Sequence, residues 1–184
     1  YISRDEFKAL VDRTIAELPA NISFKQFEVI LSELNHQIRC GHTTISMNTD
    51  MIKAATDQSL FFPYPVKFIN DQYFIDFEDR DIPHGSEILE INGHAIEQIK
   101  QDLLTLTVTD GFSPTKPIRE IESKFGYYFF LKYGGSQSFD VNYLTPEGEP
   151  VTKTIAGIQG NRMLANNYFR PVYKKHERYS HFTH

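Results

Sequence analysis

Seven histidines, one cysteine and scattered carboxylates are the side chains that could do chemistry near neutral pH in this 184-residue chain. Acyl transfer by serine needs an activated hydroxyl, a base within reach and donors for the developing oxyanion. No Gly-x-Ser-x-Gly elbow occurs, and Ser86, just after Pro83-His84-Gly85, reads as the residue entering a strand from a turn. His42, in Gly41-His42-Thr43, has an evident local use: bonding a neighbouring carbonyl and ordering a helix-to-strand turn. His36 is expected on a solvent face of a helix, and His84 and His94 fall in turns. His176, His181 and His184 lack the spacing of a tetrahedral zinc site and read as solvated tail residues. Cys40 reads as a small packing residue and, being the only cysteine, excludes an internal disulfide while leaving the compartment open. Asp57, Asp71, Asp76, Glu78, Asp79 and Asp81 do not follow the alternating loop pattern of a calcium site. No cofactor and no metal are assigned.

The elements that must position these groups change character along the chain. Ser3 and Glu6 have capping-box spacing, followed by Phe7, Leu10, Val11, Ile15 and Leu18 at helical intervals until Pro19. Ser23 and Gln26 repeat the box, with Ile22 and Phe27 as a staple and Ile30, Leu31, Leu34 and Ile38 on one face before Gly41. The two predict a helical hairpin. A third helix, capped by Thr49 or Asp50, is expected to run to about Ser59 before Pro63-Tyr64-Pro65.

From Val66 the pattern turns to strand. Val66–Ile69 and Tyr73–Phe77 predict a hairpin through Asn70-Asp71-Gln72. Pro83 suits the second position of a type I turn with Gly85 fourth, and Ser86–Ile91 then forms a strand whose Ile88, Leu89 and Ile91 enter the core. Asn92-Gly93 supplies a type I′ turn into a helix from about Ile96 to Leu106. Pro117–Tyr133 satisfies both strand propensity and a helical face; helix is preferred, with Pro117 first and Gly134-Gly135 ending it. Phe139–Leu144 and Val151–Ile158 read as a hairpin across Thr145-Pro146-Glu147-Gly148.

Composition narrows the possible partners. At 40% hydrophobic residues and this length the chain can bury a core as one large domain or two small ones. The net charge of -5, with no block of five or more like charges, does not resemble a phosphate-binding face, so nucleic acid is not an expected partner. No apolar run is long enough to predict a membrane span, and the start at Tyr1, without Met, is expected to come from processing.

Gly85-Ser86-Glu87-Ile88-Leu89-Glu90-Ile91-Asn92-Gly93 followed by a helix resembles the core signature of PDZ-like domains. Upstream, Leu34-Asn35-His36-Gln37-Ile38-Arg39-Cys40-Gly41-His42-Thr43 is similar to the segment that precedes this module in the tail-specific, or C-terminal processing, and tricorn-like serine peptidases. The resemblance implies an α+β fold: a helical hairpin region over residues 1–62, a PDZ-like small β-barrel or sheet with flanking helices over 63–158, and a linker over 159–184 toward an absent protease domain. It implies a polypeptide substrate, the chain's own protease domain as partner, and a periplasmic or extracellular setting in a bacterial envelope. Val66, Phe68, Ile99 and Leu103 would line the peptide groove. His42 would be the base in the tricorn-like branch, where Ser, not Gly41, directly precedes that histidine; the Ser-Lys branch needs none. Pro63 and Pro65 offer few backbone donors for a terminal carboxylate, so the groove can also be filled by the protein itself. A stand-alone peptide-binding module and a purely structural or inhibitory domain are the alternatives.

Overall fold

The computed structural model describes residues 2–43, 45, 50, 53–54, 57, 59–77 and 81–160. Both predicted capping boxes form. Ser3 and Ser23 each accept the backbone N–H three residues on, and Glu6 and Gln26 reach back to the cap, starting α1 (Arg4–Glu17) and α2 (Phe24–Ile38). No residue of α1 is buried, and it packs on α2. α2 ends where Arg39 turns left-handed at φ 54°. In the expected third helix, Asp50, Lys53, Ala54 and Asp57 are helical and most of the remainder lies outside the described residues.

Most of the remaining fold is a six-stranded antiparallel sheet backed by two helices. β2 (Val66–Ile69), β3 (Gln72–Ile75), β4 (Glu87–Ile91), β6 (Ser138–Leu144) and β7 (Pro150–Ala156) lie in that order, with β5 (His94–Ala95) also paired to β4. The sheet stays open between β2 and β7, so the barrel form of the expectation does not occur. A second, two-stranded sheet pairs β1 (Leu60–Phe61) with β8 (Ile158–Gln159). This pairing needs glycine: a Cβ on Gly135 would lie 2.4 Å from the Leu60 carbonyl oxygen, and one on Gly157 2.3 Å from that of Ser136.

Turns largely follow the sequence, with two shifts. Asn70 and Asp71 alone, at φ 49° and 63°, close the β2–β3 hairpin, and Asn92-Gly93 makes its type I′ turn at φ 51° and 78°. Before β4, the Ser86 N–H bonds the Pro83 carbonyl, and Gly85 sits third at φ 79°. The turn is thus one residue later than expected, because only the third position of a type II turn uses glycine's positive φ. Ile88 and Ile91 are both fully buried although strict alternation would place them on opposite faces. The β4–β6 register shifts between Ile88 and Glu90, and the extra residue, Leu89, faces out instead of entering the core.

α3 (Ile96–Leu104) follows β5, and α4 (Thr115–Tyr133) is the predicted helix begun two residues early, so Pro117 is its third residue rather than its first. α4 breaks from helical geometry at Lys124 (φ −135°, ψ 28°), two residues before Gly126, where helix propensity is weakest. Its Ile121, Phe125 and Phe129 join Phe61, Phe62, Ile75, Ile88, Ile99, Leu103 and Phe139 in one core. Phe62 meets Phe125 at 5.5 Å and Phe139 edge-on at 5.6 Å, the geometry aromatic quadrupoles prefer.

Candidate functional site

Two local arrangements can do chemistry, and the first half of α4 touches both. At the first, the left-handed Arg39 throws the chain out of α2 into Cys40-Gly41-His42-Thr43, closed by the Thr43 N–H on the Cys40 carbonyl at 3.0 Å. Buried Asn35 donates from Nδ2 to the Thr43 carbonyl at 3.1 Å. From the loop before α4, the Gly111 N–H bonds the Arg39 carbonyl at 3.0 Å, and the Arg39 guanidinium lies 4.3 Å from the centre of the Phe112 ring. Lys116, near the start of α4, donates to the Gly41 carbonyl at 3.1 Å. A Cβ at Gly41 would sit 3.2 Å from Asp110 Cβ, tighter than ordinary packing, so the turn is fitted to that loop.

His42 stands on this braced turn with its side chain exposed, and among the described residues it has no ion-pair partner. The backbone amide of His42, then the Thr43 hydroxyl, bond the Cys40 thiol and hold it below its ordinary pKa, while the Asp110 charge opposes them. Cys40 is half-buried rather than a sealed packing residue. His36, expected to face solvent, instead packs toward α3: its Nδ1 lies 2.8 Å from the Thr107 carbonyl, which can only accept, so that nitrogen carries the proton.

The second arrangement is the outer edge of β2. Of the four residues expected to line a groove, Val66, Ile99 and Leu103 are fully buried and Phe68 is half-buried against Tyr73, ring centres 4.9 Å apart. α4 packs on both β2 and α3. The Phe68 N–H donates to Glu122 Oε1 at 3.0 Å, and Oε2 accepts from Lys67 Nζ at 3.0 Å and Arg119 Nη1 at 2.9 Å. Burial alone would push the Glu122 carboxyl up; the Lys67 ammonium, the Phe68 amide and Arg119 outweigh it and hold it below the usual carboxylate value. Nothing in the sequence marked Glu122, since its β2 partners lie 54 and 55 residues away. Lys116 and Glu122, six positions apart, are separated by about 9 Å along the helix.

The second half of α4 pins α2. The Tyr127 hydroxyl donates to Glu28 Oε1 at 2.5 Å, and Lys132 pairs with Glu33. Burial pushes Glu28 up, only partly offset by that hydroxyl, and raises Tyr127 as well.

The other nominated residues do not assemble into a site. Ser86 is fully buried. His84 Nε2 lies 3.6 Å from Asp76, and His94 packs on the Tyr133 ring at 4.6 Å. His176, His181 and His184 lie outside the described residues. Among the described residues no group of three His, Cys, Asp or Glu could hold a metal, and no helix is long and apolar enough to cross a membrane.

No known family model and no curated protein matches this chain. Its fold is similar to part of solved CPAF structures: a CPAF mutant at TM-score 0.58 and 13% identity, CPAF complexed with lactacystin at 0.54 and 14%, and mature CPAF at 0.53 and 14%. These cover 86%, 85% and 92% of this chain but 28%, 29% and 32% of the CPAF chains, so the chain spans under a third of the length of those structures.

Proposed function

We propose that this chain is the substrate-recognition and regulatory portion of a C-terminal processing or tricorn-like serine peptidase, with its nucleophile elsewhere in a longer polypeptide. CPAF is a bacterial serine protease, and the shared fold supports a protease-related portion. The observation that carries the reading is His42: an exposed imidazole on a turn braced by Asn35, Gly111 and Lys116, with no carboxylate paired to it among the described residues. A base needs that combination of rigidity and access when serine and acid come from another domain. In this reading residues 63–158 form the PDZ-like module, 159–184 lead to the protease domain, the substrate is a polypeptide, and the setting is periplasmic or extracellular.

Incubation with an unstructured polypeptide such as reduced, alkylated casein tests it. Residues 1–184 alone should release no new peptides, whereas the polypeptide encoded by the complete gene should; cleavage by 1–184, or a gene ending at its last codon, contradicts it. A second reading, a structural or self-occupied interaction module with no enzyme attached, is favoured by the complete burial of Val66, Ile99 and Leu103.

A further inference from the structure

α1 and α2 are joined as a hairpin but do not close on each other: a groove of about 980 Å³ lies between them, and α1 buries none of its residues. Leu10, Thr14 and Leu18 line one wall at helical spacing, Ile30 and Leu34 line the other, and Phe112, 73% exposed, also borders the groove. The 14 residues of α1 span about 21 Å, so the groove is about 50 Å² in section: room for a row of side chains and less than a whole helix about 10 Å across. An extended peptide is poorly served there, because the main-chain N–H and C=O groups of its walls are spent along two helices and few are left to pair with it. A helix satisfies its own main chain and needs to offer only one apolar row. The charges in the groove point to the kind of helix. Glu6 is held back at its cap by Ser3, and Glu33 pairs with Lys132. Arg13 and Arg39 have no carboxylate partner among the described residues, against one such anion, Glu17. Arg39 lies over the Phe112 ring, an arrangement that leaves the N–H edge of its guanidinium open to a carboxylate.

We propose that the α1–α2 groove docks an amphipathic helix of a partner protein, with the apolar row of that helix seated between Leu10 and Leu34 and its acidic flank on Arg13 and Arg39. Such a helix covers the side of α1 that α2 leaves open and turns a splayed pair into three packed helices. Residues 161–184 of this chain have the wrong sign for the role, with five Lys and Arg against one Asp or Glu. The Arg39 carbonyl accepts the Gly111 N–H beside the His42 turn, so the occupant would lie next to the exposed imidazole.

The test is fluorescence polarisation of two labelled 18-residue Ala-based helices, blocked at both ends, that share one Leu row and carry either Glu or Lys along its flanks, titrated with the 1–184 chain. Non-specific attraction to a chain of net charge -5 favours the Lys helix, so a preference of about tenfold or more for the Glu helix is the expected result and marks the local site. Arg13→Gln combined with Arg39→Asn should erase that preference, Asn being suited to the left-handed backbone at residue 39. Leu10→Ser should weaken binding of the Glu helix about fivefold. Circular dichroism checks the fold of each variant; if the double variant does not fold, Arg13→Gln alone, at an exposed position, carries the same criterion with a smaller loss. Equal affinity for the two helices, a preference for Lys, or a Glu preference that survives the arginine substitutions overturns the proposal. Sedimentation equilibrium at the same concentrations tests for another copy of the chain: a dimer that Leu10→Ser dissociates would give the groove to a second copy and overturn the assignment to a partner helix.

Discussion

Two buried glutamates on the helical side of this molecule titrate in opposite directions, and the cause is the charge that each one meets. Glu122 faces an ammonium and a guanidinium, whereas Glu28 meets the Tyr127 phenol and, among the described residues, no cation. Because burial raises the folded-state pKa of Glu28, the folded protein keeps that proton after the unfolded chain has released it. Its stabilising contribution is whole below the unfolded value near pH 4.3 and is lost as pH rises through the folded value. Urea midpoints measured between about pH 4 and pH 7 should therefore show Glu28→Gln losing less stability with rising pH than wild type. An equal slope would show that Glu28 does not contribute. Glu122 has the reverse sign, with stability lost as pH falls through its lowered value. At this scale the sequence was legible where partners are three residues apart, as with Ser3–Glu6 and Ser23–Gln26. It was silent for Glu122 and Glu28, whose partners come from 54 and 99 residues away.

Elements were legible to the extent that local chemistry chose them. Asn92-Gly93 requires positive φ and gets it; the helical face of α4 prevailed over the strand propensity of Tyr127-Tyr128-Phe129-Phe130 because Ile121, Phe125 and Phe129 have a core to fill. The bulge at Leu89 was not legible, since it is set by pairing with β6, some 50 residues on. The same holds for the β1–β8 pair, which joins strands nearly 100 residues apart and depends on two glycines at close backbone approaches. Gly135→Ala drives a methyl against the Leu60 carbonyl, where no flexible side chain can yield. It should cost about 3 kcal/mol in urea denaturation. A loss of only a few tenths would mean that β1 can shift aside without consequence.

For the whole molecule, a helical stretch followed by a mainly strand-forming one agreed with the α+β fold that the resemblance implied, and the open sheet with its backing helices carries that much. Whether a groove stays open beside β2 could not be read, because it turns on where a long inserted helix comes to rest. α4 lies on β2 and α3, holds the His42 turn through Lys116, and holds α2 through Tyr127 and Lys132. One helix therefore links the strand edge to the exposed imidazole. The measurement that tests the account most directly is turnover of an unstructured polypeptide by the complete polypeptide carrying His42→Ala. A loss in kcat of about 100-fold or more, with little change in KM, is the predicted result for a base lost from its place. Turnover equal to wild type would contradict it and leave His42 as a residue that merely orders a turn.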